Sequence, residues 1–242
     1  MFRNRRGQFV IIAVLMIAVM IISIGALMHR AVTYYRHEPW EEYLALIGNI
    51  ELNSKRLVEL SLANYSYTLN RNILKTNLEK WKANMVNIYI GLGVTLNYEL
   101  ANRSYNVDGT GINYFSGLNY SWLKPKSFTA ANATFTLNIT SIGLTGYKFT
   151  ALAFLNLTIL NVTANNINVT VKVEDKIPVT GLGKENFKVQ FGNTAIPIVS
   201  VKSRYDSKEA LIYIIECAQN ISTPIIVEVS DLRGIKVVAQ YP

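Results

Sequence analysis

The chain has 242 residues, a single cysteine and a formal net charge of +8. This length allows one sizeable domain or two small ones after the N-terminal segment, and the lone Cys217 excludes an internal disulfide. Residues 1–30 hold four arginines and no acidic residue, so the rest of the chain has 20 basic and 16 acidic residues. Because these charges form no basic block, no nucleic-acid partner is expected.

An uncharged apolar run extends from Phe9 to Met28 near the start of the chain. As a helix, its 20 residues span roughly 30 Å, the thickness of the hydrocarbon core of a bilayer. Twelve of them are Phe, Val, Ile or Leu, which together contribute about −4 to −7 kcal/mol to insertion. The sequence therefore predicts a transmembrane helix with a juxtamembrane extension over residues 8–36, in contact with membrane lipid.

The residues before this run are basic and end in a glycine: Arg3, Arg5 and Arg6 precede Gly7, and Gln8 follows. This pattern, within about the first thirty residues, resembles the class III signal peptide of archaeal type IV pilin-like surface proteins. The resemblance implies that a prepilin-type peptidase removes residues 1–7 as a basic leader and leaves the apolar helix on the mature protein. It also implies assembly with other pilin-like subunits, identical or different. An uncleaved signal anchor is the alternative.

Charge and sequons predict the orientation of the chain. Three arginines precede the apolar run, and two, Arg30 and Arg36, follow it, which favours a cytoplasmic N-terminus. Nine Asn-x-Ser/Thr sequons follow the run and none precedes it, in agreement with an extracytoplasmic C-terminal part. The candidate glycosylation sites are Asn64, Asn102, Asn119, Asn132, Asn138, Asn156, Asn161, Asn168 and Asn220.

Residues 37–100 show a helical hydrophobic period and are predicted to form a helical hairpin or stalk. The apolar face of the first helix comprises Tyr43, Leu46, Ile47, Ile50, Leu57 and Leu60. A heptad stripe in the second comprises Leu74, Leu78, Trp81, Met85, Ile88 and Leu92. We expect the two faces to bury each other, and the alternative is a stripe that contacts a neighbouring subunit. Residues 101–127, rich in aromatic residues, Gly and Asn, are predicted to be a packed connector, with a binding loop as the alternative.

From residue 128 to 242 the hydrophobic period changes to two. The predicted strands are 132–141, 147–161, 166–175, 187–191, 196–203, 210–217, 224–230 and 235–240. Short strands at near-regular spacing indicate an antiparallel β-sandwich domain, and the tail resembles the immunoglobulin-like modules of microbial surface proteins. Such a likeness implies a fold and no activity. The predicted class of the whole chain is α+β.

The sequence contains no motif with catalytic or metal-binding spacing. It has no cysteine pair, no HExxH, no Gly-x-Ser-x-Gly and no P-loop. A nucleophilic cysteine needs a histidine partner, and the only histidines, His29 and His37, lie next to the apolar run and far from Cys217 in the sequence. We therefore expect Cys217 to be a buried thiol at a strand end. No enzymatic activity, metal or cofactor is expected.

These observations predict a single-pass membrane protein with a cytoplasmic N-terminus and an extracytoplasmic C-terminal domain. Its expected function is that of a structural subunit resembling an archaeal pilin-like protein, whose N-terminal helix anchors the chain and assembles into a surface filament. The alternative is a monomeric single-pass surface protein whose β-sandwich binds a partner or a component of the cell envelope.

Overall fold

A computed structural model describes residues 5–36, 40–102, 104–107, 110–173, 177–206 and 210–242. The side chains of residues 5–13, 31–36, 40–42, 104–107 and 110–113 lie outside this description. The chain divides into two compact units, Met1–Ile50 and Glu51–Pro242. The described residues form helices and predominantly antiparallel sheets, so the predicted α+β class is confirmed.

Helix α1 (Arg5–Arg36) occupies most of the first unit. It contains no proline, and Ala, Leu, Met and Ile favour or tolerate the helical backbone. The sequence predicted a helix from residue 8, whereas the backbone is helical from Arg5. All the side chains described in α1, from Val14 to Arg30, are exposed. Among the described residues, no helix has the length and apolarity that a membrane span requires.

Helices α2 (Trp40–Thr68) and α3 (Ile73–Ile88) form a hairpin, and their hydrogen-bonded side chains lie in the second unit. Trp81 Nε1 donates to Ser54 Oγ at 3.0 Å, and Asn77 Nδ2 donates to Ser61 Oγ at 2.9 Å. Both serines are fully buried. Two polar side-chain pairs therefore join the two helices.

The buried faces of the two helices differ in part from the predicted ones. In α2, Leu60 is 63 % exposed, whereas Val58 and Leu62 are fully buried. The sequence misplaced this face because the serines that belong to it are polar and do not register in an apolar pattern. In α3, the stripe residues Leu74, Leu78 and Met85 are buried, but Ile88 is exposed and Leu92 follows the helix end.

Fourteen strands occur within the described residues, arranged in three sheets. Their bounds are β1 (Val94–Leu100), β2 (Ser104–Val107), β3 (Thr110–Asn113), β4 (Leu118–Ser121), β5 (Lys126–Ile139), β6 (Leu144–Val162), β7 (Asn166–Val173), β8 (Ile177–Pro178), β9 (Phe187–Phe191), β10 (Thr194–Ile196), β11 (Ile198–Tyr205), β12 (Leu211–Cys217), β13 (Ile225–Ser230) and β14 (Lys236–Tyr241). The main sheet has the order β1-β5-β6-β7-β12-β11, with β4 on β5 and β8 on β7. The second sheet has the order β10-β9-β13-β14, and β2 pairs with β3.

One face of the main sheet, here the inner face, packs against both the second sheet and the helical hairpin. The rings of Tyr213 on β12 and Phe187 on β9 lie 5.6 Å apart, and Thr129 on β5 donates to the Lys236 carbonyl of β14 at 2.7 Å. Tyr147 on β6 donates to the Glu51 carboxylate of α2 at 3.2 Å. The opposite face is the outer face. Alternation along each strand puts Phe135, Leu157 and other buried residues on the inner face.

Strand structure begins earlier along the chain than predicted. β1 lies within the segment 37–100 predicted as helical, and the predicted connector 101–127 contains β2, β3 and β4 and the first residues of β5. The seven residues of β1 alternate, but they directly follow the heptad stripe of α3 and pair with β5 much later in the chain. A local pattern does not reveal a partner at that distance.

Candidate functional site

The predicted processing site lies at the start of α1. Arg5, Arg6, Gly7 and Gln8 belong to its first turns, whereas Arg3 lies outside the described residues. The Gly7–Gln8 bond is therefore part of a helix, and a peptidase has to unwind this end to reach it. Unwinding is inexpensive there, since terminal N–H groups have no intrahelical partner and glycine is about 1 kcal/mol less favourable than alanine in a helix.

The predicted sequons are distributed over the surface of the second unit. The asparagines with exposed side chains are Asn64, Asn102, Asn161 and Asn220. Those with half-buried side chains are Asn119, Asn132, Asn138 and Asn168. Asn138 is also engaged through both ends of its amide, because Nδ2 donates to Thr95 Oγ1 at 3.3 Å and Oδ1 accepts from the Gly146 N–H at 2.6 Å.

Asn156 does not fit the role of a glycosylation site in the folded domain. It is 6 % exposed, and its Oδ1 accepts a hydrogen bond from Thr158 Oγ1, the hydroxyl of its own sequon. The sequon lies in the middle of β6, whose ladder is paired with β5 on one side and β7 on the other. An asparagine that alternation assigns to a polar face is here covered by tertiary packing.

Strands β1 and β11 form the two ends of the main sheet. Among the described strands, β1 pairs only with β5 and β11 only with β12. In an antiparallel ladder, every second residue of a strand bonds to the partner strand. Ala101 donates its N–H to the Asn132 carbonyl of β5, and Leu96 and Tyr98 lie at odd spacing from Ala101. The N–H and C=O groups of Leu96 and Tyr98 therefore point away from β5. β1 therefore presents a row of backbone groups at the sheet edge.

The same alternation applies at β11. Asp206 N–H donates to the Ala210 carbonyl at 3.0 Å, so Lys202 and Arg204, at even spacing from Asp206, also bond to β12. The residues between and beside them direct their N–H and C=O groups away from β12; these are Val201, Ser203 and Tyr205. A register shift between Ile198 and Ser200 limits the regular edge to the residues after it.

A groove of about 460 Å³ lies between α3 and the β1 edge. Its lining comprises Glu79, Lys82, Ala83, Val86, Thr95, Leu96 and Asn97. The four helical residues fall at helical spacing on one flank of α3, beside the face that carries Leu78 and Met85. Lys82 Nζ donates to Asn97 Oδ1 at 2.8 Å, while Val86 is 58 % exposed. The edge of the sheet thus borders a groove with an apolar floor and a charged rim.

An ion cluster joins α2 to both sheets. Asp231 is 5 % exposed, and its Oδ1 accepts from the N–H groups of Arg233 and Ile235 in the turn before β14. Arg233 donates to Asp231 Oδ2, to Glu59 on α2 and to the Phe154 carbonyl on β6, at 2.8, 3.0 and 3.1 Å. This cluster was not predicted from the sequence, although the turn residues of "SDLRG" indicate a turn held by an aspartate.

Cys217 is buried at the end of β12, as predicted. Burial raises the pKa of its thiol above the ordinary value, which disfavours the thiolate. The thiolate is the nucleophilic form, so this thiol is poorly reactive. Across the described residues, no group of three or more His, Cys, Asp or Glu side chains has the arrangement of a metal site.

The second unit therefore carries three separate candidate features, which are the two edges of the main sheet, the groove beside β1 and the exposed sequons. Only the sequons were predicted from the sequence. The signal for an edge strand is weak, since alternation is the same in edge and central strands. Comparisons of the chain with protein families, with curated proteins and with solved structures find no match.

Proposed function

We propose that this chain is an extracytoplasmic structural subunit resembling an archaeal pilin-like protein. In this proposal α1 anchors the chain in the membrane and then packs against the α1 helices of other subunits in a surface filament. One observation carries it: eleven large apolar side chains between Val14 and Met28 are 54–70 % exposed.

These side chains need an apolar environment. Burying a Val, Leu, Ile or Met side chain contributes roughly 1.5–3 kcal/mol, so leaving all eleven in water is very unfavourable. Exposure on every side of a helix suits lipid or a bundle of copies rather than one partner surface. The uncharged run of the sequence starts at Phe9, so the proposed anchoring segment is 9–28.

The second unit suits the part exposed outside the cell. We propose that its C-terminal strands are an immunoglobulin-like β-sandwich in which β6, β7, β12 and β11 face the second sheet. Contact between the Tyr213 and Phe187 rings across the two sheets supports this fold. The exposed sequon asparagines support an extracytoplasmic location, since N-glycans require accessible side chains.

Removal of residues 1–7 would link the two uses of α1. Arg3, Arg5 and Arg6 hold the helix end at the anionic inner leaflet with about 1 kcal/mol each. Cleavage after Gly7 by a prepilin-type peptidase deletes all three charges. The processed helix then leaves the lipid more easily and exchanges lipid contacts for contacts with other subunits, which are copies of this chain or related pilin-like chains.

The first test is N-terminal sequencing of the protein from its native host, together with a Gly7→Val variant. Processing requires a small residue beside the scissile bond, so Gly7→Val should accumulate at full length in the membrane. Gly25→Val is the matched control, because a Cβ at Gly25 meets no atom within 4 Å and the residue lies far from the bond. It should be processed as the wild type is.

A mature protein that begins at Gln8 supports the filament proposal. If the wild type keeps its first seven residues, or if Gly7→Val is cleaved normally, the proposal fails. The chain is then a monomeric single-pass surface protein whose β-domain binds a partner or an envelope component.

A further inference from the structure

We propose that the β1 edge of the main sheet pairs with the β11 edge of a second copy of this chain, so that the sheets of successive subunits join head to tail. This inference names a contact between subunits of the second unit and deepens the proposed filament function. It rests on strand direction, face, backbone register and side-chain chemistry.

Direction allows the pairing. The path β1-β5-β6-β7-β12-β11 has six strands, and every neighbouring pair in it is antiparallel. The two end strands therefore run in opposite directions. When a second copy is placed beside the first in the same orientation, its β11 runs antiparallel to β1, as an added strand in this sheet should.

The faces also agree. The side chains of Glu99 on β1 and Lys202 on β11 both lie on the outer face of the main sheet, as the strand registers show. The residues that connect them on this face, by register or by even spacing along one strand, are Thr134, Thr150, Thr158, Thr170, Asn168 and Ile214. Joining the copies thus continues both faces. Because each strand is rotated by about 20–25° from its neighbour, the repeat is a helical one that does not close on itself after two copies.

Backbone groups on the two edges select one register. Leu96 and Tyr98 present N–H and C=O groups at the β1 edge, and Ser203 and Tyr205 do so at the β11 edge. We propose the register in which Tyr98 lies opposite Ser203 and Leu96 opposite Tyr205. In this register Glu99 lies opposite Lys202 in a non-hydrogen-bonded pair, where side chains approach most closely.

Charge and apolar surface are complementary in this register. Glu99 is exposed, and Lys202 keeps 75 % of its side chain exposed and lies 3.9 Å from the Glu216 carboxylate. On the inner face, the side chain of Tyr205, which is 63 % exposed, would enter the groove beside α3, where Val86 is 58 % exposed. Addition of a strand to an exposed sheet edge, with pockets for alternate side chains, is a known mode of recognition.

This contact is weak by itself and depends on local concentration. Five residues on each strand bury far less area than the roughly 1,200 Å² of a stable interface. When α1 is confined in a membrane or filament, the β1 and β11 edges of neighbouring copies meet at a high effective concentration. This raises the occupancy of the edge pairing without any new contact. Edge pairing would then set how the second units stack along the assembly.

Cysteine crosslinking in the full chain tests the pairing. The variant is Glu99→Cys/Lys202→Cys in a Cys217→Ala background, and isolated membranes are oxidised with air and copper–phenanthroline. Within one chain, positions 99 and 202 are separated by five strand spacings, about 24 Å across the sheet, and by a further offset along the strands, whereas a disulfide needs Cα atoms within about 7 Å. Any disulfide between them therefore joins two copies, and we expect a ladder of dimers, trimers and larger species on a non-reducing gel.

Three controls determine the interpretation. Each single-cysteine variant should stay monomeric, since dimers from either one would mean that like edges pair, which overturns the head-to-tail arrangement. Thr134→Cys/Lys202→Cys should also stay monomeric, because Thr134 is paired with Glu99 on one side and with Thr150 on the other. Glu99→Cys/Arg204→Cys should crosslink severalfold less, since diagonal pairs lie about 7–8 Å apart. Equal or stronger crosslinking there overturns the register.

The outcomes separate this inference from the proposed function. If the 99/202 variant stays monomeric while the chain is processed after Gly7, edge pairing is wrong and the filament proposal stands. If the ladder forms on a chain that keeps residues 1–7, edge pairing stands and the processing proposal falls. Proteolysis of the solubilised variants shows whether each one keeps the folded second unit.

Discussion

Arg233 Nη1 lies 3.0 Å from the Glu59 carboxylate, and this contact joins the turn before β14 to helix α2 across 174 residues of sequence. The same guanidinium bonds to the buried Asp231 and to the Phe154 carbonyl. One side chain thus connects the helical hairpin, the main sheet and the second sheet.

Arg233→Ala should destabilise the second unit by about 2–4 kcal/mol, because it leaves the Asp231 carboxylate buried without its cation. Urea unfolding of the detergent-solubilised full chain, followed by tryptophan fluorescence, measures the change. Lys188→Ala is the matched control: it removes a 3.1 Å ion pair with Glu228 in which the lysine side chain is 68 % exposed. Exposed pairs contribute about 0–1 kcal/mol. Equal losses in the two variants would contradict the role of Arg233.

Two glycines with similar backbone angles should respond differently to alanine. Gly117 has a φ of +76°, and a Cβ there would lie 2.8 Å from the Asn132 carbonyl oxygen and 2.9 Å from Leu74 Cδ2. Gly146 has a φ of +70°, and a Cβ there meets nothing within 4 Å. Gly146→Ala should cost about 1–2 kcal/mol for the left-handed backbone alone.

Gly117→Ala should cost about 1–3 kcal/mol more than Gly146→Ala, because its Cβ displaces packed backbone and core. The difference in urea midpoint between the two alanine variants isolates this steric contribution. If the midpoints coincide, the close approach of the chain at Gly117 is wrong.

Stability should fall at alkaline pH partly through Tyr213. Burial raises the pKa of this phenol above its ordinary value of 10.0, and its hydroxyl donates to the Val179 carbonyl at 2.6 Å. Because the pKa of Tyr213 is higher in the folded than in the unfolded state, its hydroxyl contributes fully to the free energy of unfolding below the unfolded-state pKa. This contribution is lost as the pH rises through the folded-state pKa. Unfolding free energies measured at neutral pH and above pH 10 should show this loss.

Tyr213→Phe should lower stability at neutral pH by about 1 kcal/mol, for the lost hydrogen bond, and should reduce the alkaline loss. An unchanged alkaline loss in Tyr213→Phe would show that other groups cause it.

Glycan occupancy should follow exposure of the asparagine side chain. If the second unit is extracytoplasmic, glycopeptide mass spectrometry of the protein from its native host should find glycans among Asn64, Asn102, Asn161 and Asn220. Asn156 should be unmodified, because its amide is buried and bonded within β6. A glycan on Asn156 with the four exposed sites bare would contradict both the fold of β6 and the accessibility argument.

Most strands after residue 140 were predictable because alternation is a local property. The predicted 187–191 and 210–217 correspond to β9 (Phe187–Phe191) and β12 (Leu211–Cys217) within one residue. In contrast, β1 was assigned to a helical segment, since seven alternating residues next to a heptad stripe carry too little local signal. Its identity as a strand depends on pairing with β5.

The sequence by itself determined the apolar character of α1, the α+β class, the positions of most strands and the burial of Cys217. Each of these follows from composition or from a repeat within a few neighbouring residues. Tertiary structure decided that Asp231 is buried against Arg233, that Asn156 is covered, and that β1 and β11 are the ends of the main sheet. Those outcomes depend on which distant segments pair, and hydrophobic periodicity is the same whether a strand lies at the centre of a sheet or at its edge.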